Sequence, residues 1–167
     1  WANEDWTRAW DGRSGETLLQ QTYSPEDDRR HIQWLLKAFR DPRYIRVNGR
    51  PLMLIYRANR MPDPAATTAL WREESRRAGF PDLYICRVES FADEHSPPAS
   101  VDCDAAVEFQ PDWRVLGSLA RDPAVIGHRV YDYASVAEKM MRRDPPPFKQ
   151  LPCVVPMWDN SPRRETD

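Results

Sequence analysis

The chain alternates between short apolar runs and longer amphipathic segments, and this alternation restricts its fold more than any other feature. The runs that predict strands are residues 44–47, 52–56, 83–88, 105–109 and 152–157. The run 52–56 is continuously apolar, which is typical of a strand buried on both faces. The Asn48-Gly49 pair that precedes it predicts a tight turn between two strands.

Three amphipathic segments predict helices. The first begins at Ser24, which precedes a proline and three acidic residues, and ends before Pro42. The second begins at Asp63, again before a proline, and ends at about Ala78, where a glycine follows. The third covers residues 133–143 and is followed by three prolines.

The resulting order, β-α-β-α-β-(α)-β, calls for a parallel sheet covered by helices. A doubly wound sheet and a (β/α)8 barrel both satisfy this order. Polar or aromatic residues follow each predicted strand, and in a barrel these carboxyl ends converge on one active-site face. A whole barrel takes roughly 250 residues. We therefore expect an α/β fold in which residues 1–167 form one domain, a partial (β/α)8 barrel of parallel strands with flanking helices.

Composition argues against several classes of function. Of the 167 residues 41% are hydrophobic and 30% charged, and the net charge is -2, which is typical of a globular domain without a nucleic-acid-binding face. No apolar stretch approaches the roughly 20 residues of a membrane span. The three cysteines show no CxxC spacing, which favours a reducing compartment, and we expect a cytoplasmic protein. The sequence shows neither metal-ligand spacing nor a nucleotide motif, so no cofactor is expected.

The first eleven residues combine three tryptophans with three acidic residues, an asparagine and an arginine. Aromatic faces stack on sugar rings, and carboxylates and amides bind hydroxyl groups, so this mixture predicts a carbohydrate site. Glu4 and Glu108 are the candidate catalytic residues, because a carboxylate after a strand can act as acid, base or substrate ligand. Ion pairing with an arginine is the alternative. The candidate substrate-binding residues are Trp1, Asn3, Trp6, Asp11, Tyr56, Arg57, Trp158, Asp159 and Asn160. For these residues, core packing or a structural hydrogen bond is the alternative.

The opening segment, WANEDWTRAWDG, resembles the signature WANENWTRRWDG of WbsX-type proteins. These are bacterial polysaccharide-biosynthesis proteins with a glycoside hydrolase family 99-like domain. Further similar segments follow in order: QTY at 21–23, FRDPRYI at 39–45, NGRPL through IYR at 48–57, DAAVEF at 104–109, and WDN at 158–160 with RR at 163–164. The resemblance therefore extends over nearly the whole chain.

This resemblance implies a (β/α)8 barrel, of which residues 1–167 would be an internal fragment from the end of the third strand through the seventh. It also implies an oligosaccharide or polysaccharide substrate and activity on glycosidic bonds, which in the hydrolase branch are α-mannosides. The family's catalytic pair lies in a Glu-Trp-x-Glu motif that these 167 residues do not contain. We therefore expect the fragment to supply a substrate-binding wall and to be inactive alone.

Two other functions fit the residues. One is a non-catalytic carbohydrate-binding module that uses only the tryptophans. The other is a glycosyltransferase that takes its sugar from a sugar nucleotide, which a donor-hydrolysis assay would distinguish from a hydrolase.

Overall fold

The computed structural model describes residues 1–9, 12–121 and 127–160. The chain divides into two compact units. Unit 1 consists of residues 1–4, 21–108 and 148–152. Unit 2 consists of residues 5–20, 109–147 and 153–167. That residues 1–167 form one domain stays a prediction.

The described residues form seven strands and three α-helices. The strands are β1 (Trp6–Arg8), β2 (Arg13–Leu19), β3 (Arg46–Val47), β4 (Arg50–Ile55), β5 (Tyr84–Glu89), β6 (Ala105–Glu108) and β7 (Gln150–Leu151). The α-helices are α1 (Pro25–Phe39), α2 (Pro64–Arg77) and α3 (Tyr133–Met141). Short 3-10 turns occupy Ala58–Arg60, Ala92–Glu94 and Pro98–Val101.

Unit 1 is built on a five-stranded sheet in which strands β3 to β7 follow one another in chain order. Strands β4, β5, β6 and β7 are parallel neighbours, whereas β3 is antiparallel to β4. Asn48 and Gly49 join these two strands with φ angles of 50° and 79°, the left-handed conformations that a tight hairpin turn needs. The prediction of a mixed α/β fold with a mostly parallel sheet and flanking helices is confirmed.

The core of unit 1 lies between the helices and one face of this sheet. Ile32 and Phe39 of α1 and Trp71 of α2 are fully buried and pack with Met53 and Ile55 of β4. Burial of one such side chain stabilises a fold by about 1.5–3 kcal/mol. A smaller cluster, formed by Tyr84 and Cys86 of β5 and Ala105 of β6, lies on the other face. All six residues of β5 are buried, whereas β4 buries Met53 and Ile55 and leaves Leu54 36% exposed, so the β4 run is buried mainly on one face.

Both predicted helix starts of unit 1 are confirmed. The Ser24 hydroxyl accepts a hydrogen bond from the N–H of Asp27 at 3.1 Å and so caps α1. The Asp63 carboxylate accepts from the N–H of Ala66 at 2.9 Å and caps α2. Each bond satisfies a backbone donor that has no partner within its helix.

The predicted strand at 152–157 is wrong. The structure places the last strand earlier, at Gln150–Leu151, where it pairs with β6. Pro152 and Pro156 have no N–H to donate to a ladder, and Val154 and Met157 are 80% and 81% exposed. The apolar run is therefore not a buried strand.

Unit 2 contains the antiparallel pair β1 and β2, which the sequence did not predict. It also contains α3, which confirms the helix predicted at 133–143 and is capped by the Asp132 carboxylate, an acceptor for the N–H of Ser135 at 2.7 Å. In the described part of the chain, no helix combines the length and hydropathy that crossing a membrane requires.

Candidate functional site

The carboxyl ends of the parallel strands in unit 1 bring several predicted site residues to one edge of the sheet. The opening segment joins this edge beside β4: the Trp1 nitrogen donates to the Leu54 carbonyl at 2.8 Å, and the Tyr56 N–H donates to the Trp1 carbonyl at 3.0 Å. This alternation is the pattern of two parallel strands. Asn3 and Glu4 therefore follow a strand-like segment, as Arg57 follows β4.

The Asn3 side chain fixes this strand end to the residue that follows β4. Its amide nitrogen donates to the Arg57 carbonyl and its oxygen accepts from the Arg57 N–H, both at 2.8 Å. Asn3 also donates to the Tyr23 hydroxyl at 3.1 Å. Asn3 is only 1% exposed, and both polar atoms of its carboxamide take part in these hydrogen bonds.

The Arg57 guanidinium lies among the carboxylates of Glu4, Asp93 and Glu94. We call these four residues the Arg57 cluster. Nη1 donates to Glu4 Oε1 at 2.8 Å, while Asp93 and Glu94 each approach to 3.5 Å. The Arg57 side chain is 6% exposed and Glu94 is fully buried, but Glu4 is 38% exposed. Glu4 is thus a solvent-exposed carboxylate that is hydrogen-bonded to a buried cation.

Two aromatic rings lie beside this cluster. The guanidinium of Arg57 sits 3.8 Å from the ring centroid of Phe91, a cation–π contact. Tyr56 packs edge-on against the same ring with centroids 5.9 Å apart. Phe91 is 40% exposed. An exposed carboxylate beside an exposed aromatic ring is a suitable combination for a hydroxyl-bearing ligand.

Strand β5 carries a second pair of buried charges. Arg87 and Glu89 of β5 are 0% and 3% exposed, and Arg87 Nη2 lies 3.6 Å from Glu89 Oε1. Burial raises the pKa of Glu94, and the hydrogen bond from the Asn59 N–H and the charges of Arg57 and Arg87 only partly oppose it. Burial also lowers the pKa of Arg87, against the attraction of Glu89 and Glu94.

Register places two carboxylates side by side at the ends of β5 and β6. Glu89 pairs with Glu108 across the parallel strands, so both side chains leave the same face of the sheet. Gln150 of β7 donates to Glu89 Oε2 at 2.5 Å, and His95 Nδ1 lies 3.7 Å from the same oxygen. Glu108 therefore lies at the predicted strand end, with an additional carboxylate next to it.

A D-x-D spacing occurs at Asp102 and Asp104, but both carboxylates have structural partners. Asp104 bonds Arg50 at 2.8 Å and Arg72 at 3.0 Å, and it accepts from the Ile85 N–H at 2.9 Å. Asp102 accepts from the Thr68 hydroxyl at 2.5 Å. Within the described ranges, no group of three or more His, Cys, Asp or Glu side chains could hold a metal ion.

Unit 2 holds a cavity of about 880 Å3 that contains three predicted substrate-binding residues: Trp158, Asp159 and Asn160. Trp113 and Tyr131 share the lining with them. The volume falls in the range of ligand pockets, roughly 300–1,000 Å3. Trp158 is 50% exposed, so its ring is available to a ligand.

The other predicted residues have varied surroundings. Trp1 packs against His31 and Trp71, with ring centroids 5.0 and 5.4 Å away, so its ring contributes to the core of unit 1. Trp6 is a 55% exposed residue of β1 in unit 2. Asp11 lies outside the described residues. Their binding of substrate, and a single site shared by all candidates, stay predictions.

Sequence reasoning assigned no role to Glu89, Asp93 or Glu94, or to the cavity residues Trp113 and Tyr131. The position of Glu89 directly after an apolar strand was a usable signal. Asp93 and Glu94 belong to a polar, proline-containing loop, and nothing in the sequence distinguishes them from solvated acids. Trp113 lies in a segment without clear periodicity.

Comparison with known proteins identifies one family and two relatives. The model of the family described as "Glycosyltransferase WbsX" matches residues 1–167. Two curated relatives from Xanthomonas campestris pv. campestris, strains B100 and ATCC 33913, are both called "Uncharacterized protein WxcX" and are 36% identical to the chain over 168 residues. The alignments cover 98% of this chain and 24% of each relative, so the chain spans about a quarter of their length. No solved structure matches the chain.

Proposed function

Because the chain belongs to the WbsX glycosyltransferase family, we propose that it forms a substrate-binding wall of an enzyme acting on glycosidic bonds in bacterial surface-polysaccharide metabolism. The family match confirms the resemblance carried by the opening signature. The family description points to carbohydrate chemistry, and the residues at the strand ends suit it.

The observation that carries this proposal is the placement of Glu4. Its carboxylate is 38% exposed, and Arg57, which is 6% exposed, donates to Glu4 Oε1 at 2.8 Å. A carboxylate oriented by a charge-assisted hydrogen bond can accept hydroxyl protons from a sugar with little reorganisation. The exposed ring of Phe91 offers a stacking surface next to it.

We further propose that unit 1 is part of a (β/α)8 barrel related to glycoside hydrolase family 99. Support comes from the chain-ordered parallel sheet and from polar side chains at the carboxyl ends of its strands, where barrel enzymes place their active sites. In this proposal the opening segment through Glu4 ends one barrel strand, and β4, β5, β6 and β7 follow it.

The proposal divides the chemistry between this chain and the rest of the full-length protein. The Glu-Trp-x-Glu motif implied by the resemblance would supply the catalytic acids, while Glu4 and Glu108 would contact the sugar. The chain alone would then bind substrate and not turn it over. A cytoplasmic location is part of the same proposal, which the reduced state of Cys86, Cys103 and Cys153 supports.

The test uses the full-length protein with aryl α-mannosides and mannose oligosaccharides, following bond cleavage and transfer to an acceptor sugar. We expect Glu4→Gln to lower kcat/KM at least tenfold, because a hydrogen bond to a charged group contributes about 1.5–3 kcal/mol. Glu26→Gln is the matched control, since Glu26 lies in the exposed first turn of α1.

Two results would contradict the proposal. One is an unchanged kcat/KM for Glu4→Gln with an unchanged unfolding temperature, which would remove Glu4 from the site. The other is turnover of sugar nucleotides without any action on glycosides, which would favour the sugar-nucleotide-dependent glycosyltransferase instead.

A further inference from the structure

The cavity of unit 2 has walls fixed by buried polar contacts. The Asp112 side chain, which is 6% exposed, accepts from Arg114 Nη2 at 2.7 Å and from Arg143 Nη1 at 3.1 Å. The Asp112 N–H in turn donates to the side-chain oxygen of Gln110 at 2.8 Å. These bonds fix the backbone on both sides of Trp113, whose ring lines the cavity. The backbone that carries this ring is therefore held in place before any ligand binds.

The segment of the lining that carries Tyr131 is fixed through its backbone. The Ala120 N–H donates to the Val130 carbonyl at 2.7 Å and the Asp132 N–H to the Ser118 carbonyl at 2.8 Å, so Tyr131 lies on a short antiparallel bridge. Gly117 approaches α3 so closely that a Cβ there would lie 2.7 Å from the Ser135 hydroxyl. This close packing orients the segment that carries the tyrosine.

The lining combines exposed aromatic rings with aliphatic side chains and few polar ones. Eleven of the fifteen residues that line the cavity are aromatic or aliphatic, and the other four are His128, Arg129, Asp159 and Asn160. Trp113 and Trp158 are 49% and 50% exposed. Half-exposed tryptophans near an amide and a carboxylate are suited to a sugar ring, which presents C–H groups on its faces and hydroxyls at its edge.

The aliphatic part of the lining restricts which sugar fits. A hydroxyl placed against side chains such as Val130, Val136 and Val155 loses its water and gains no partner, which is unfavourable. A methyl group in the same place gains from burial. The four polar side chains and the hydroxyls of Tyr131 and Tyr133 can orient one edge of a ring, whereas the aliphatic side chains offer no partner to a sugar hydroxyl.

We infer that the unit 2 cavity is a binding site for a sugar residue that carries a methyl group, either a 6-deoxy sugar or an N-acetyl sugar, with Trp113 and Trp158 as stacking platforms. This inference rests on the proposed function, since it specifies the sugar that the carbohydrate-active protein binds. It adds Trp113 and Tyr131 to the predicted Trp158, Asp159 and Asn160.

The test compares two pairs of sugars that differ in the methyl-bearing group, by saturation-transfer NMR and tryptophan fluorescence on the full-length protein. One pair is methyl 6-deoxy-α-D-mannoside and methyl α-D-mannoside. The other is methyl N-acetyl-α-D-glucosaminide and methyl α-D-glucoside. We expect the 6-deoxy or N-acetyl member of at least one pair to bind about fourfold tighter or more, because a hydroxyl group buried against aliphatic side chains has no hydrogen-bond partner. The strongest saturation transfer should be at the C6 methyl or N-acetyl methyl protons, not at the methyl glycoside that all four sugars carry.

The variants Trp113→Ala and Trp158→Ala should each weaken that binding at least tenfold. Trp34→Ala should not, because Trp34 is 67% exposed on α1 in unit 1 and is not among the residues that line the cavity. The pair that shows the preference identifies the source of the methyl group.

Three outcomes would overturn the inference. Equal or tighter binding of the fully hydroxylated sugars would remove the methyl preference while leaving the proposed function intact. Binding that survives both tryptophan variants would move the sugar site away from the cavity, again without harm to the proposed function. Saturation transfer from none of these sugars or any mannose oligosaccharide would contradict the inference and the proposed function together.

Discussion

Replacement of Arg57 by methionine should destabilise the protein by about 3–5 kcal/mol near pH 7, because it leaves the buried carboxylate of Glu94 without its nearest cation. Arg57 Nε lies 3.5 Å from Glu94 Oε1, and these side chains are 6% and 0% exposed. Methionine keeps much of the length and the apolar contacts of the arginine stem, so the main change is the loss of charge.

The structure assigns most of this magnitude to Glu94. The pairs of Arg57 with Glu4 and Asp93 involve carboxylates that are 38% and 58% exposed. Such partly exposed pairs contribute about 0–1 kcal/mol each. The cation–π contact with Phe91, which is 40% exposed, adds about 0.5–1 kcal/mol. A loss well above the sum of these small contributions therefore requires the buried carboxylate.

The effect should also depend on pH with a definite sign. Burial raises the pKa of Glu94 above the ordinary 4.5, so the folded state binds its proton more readily than the unfolded state. Such a group disfavours folding increasingly as pH rises from near 4.5 through the folded-state pKa. Without Arg57 the pKa of Glu94 rises further, so the loss of stability should be smaller near pH 4.5 than near pH 7.

Urea denaturation of the wild type and the variant at both pH values measures this. The double variant Arg57→Met/Glu94→Gln should recover about 2–3 kcal/mol near pH 7, since the amide needs no counter-charge. Arg43→Met is the control, because Arg43 pairs with Asp41 at the surface and is 88% exposed. A loss that is equal at the two pH values and is not recovered in the double variant would refute the reasoning.

Three other measurements check particular contacts. Asp104→Asn should lower the free energy of unfolding in urea by about 2–3 kcal/mol near pH 7. Burial opposes ionisation of Asp104, but a backbone N–H and two arginines hold its pKa below the ordinary 3.8. The stability that the Asp104 carboxylate contributes should therefore disappear as the pH falls below that value. Trp71→Ala should cost about 3–5 kcal/mol in the same assay, because the ring is fully buried, and an equal effect of substituting an exposed tryptophan would contradict this. Burial raises the pKa of Cys86 and Cys103 to about 12, so a thiol reagent near pH 8 should modify Cys153 alone until urea is added.

The features that the sequence predicted correctly depend on neighbouring residues. The caps at Ser24 and Asp63 each use a side chain and an N–H three positions later. The turn at Asn48 and Gly49 needs only the tolerance of these two residues for positive φ. The runs of β4 and β5 were recognisable from the consecutive apolar residues at 52–56 and 83–86. Local chemistry therefore determined most of the order of elements.

The features that were missed depend on distant partners. Glu94 is buried because Arg57 and Arg87 face it, and neither lies in its own loop. The hydrophobic run at 152–157 predicted a strand, yet no ladder forms there, since pairing depends on donors that prolines lack. The pairing of Glu89 with Glu108 follows from strand register, which a single sequence does not specify.

The Asn3 side chain imitates a peptide unit. Its oxygen accepts from the N–H of Arg57 and its nitrogen donates to the carbonyl of Arg57, so one carboxamide occupies the place of a neighbouring strand's main chain. Aspartate has no hydrogen to donate, and glutamine carries an additional methylene group that moves both atoms. At position 3 of the opening signature, the side chain thus makes the two hydrogen bonds that a neighbouring strand would make. Asparagine alone among the common residues provides both the donor and the acceptor atom at the required reach.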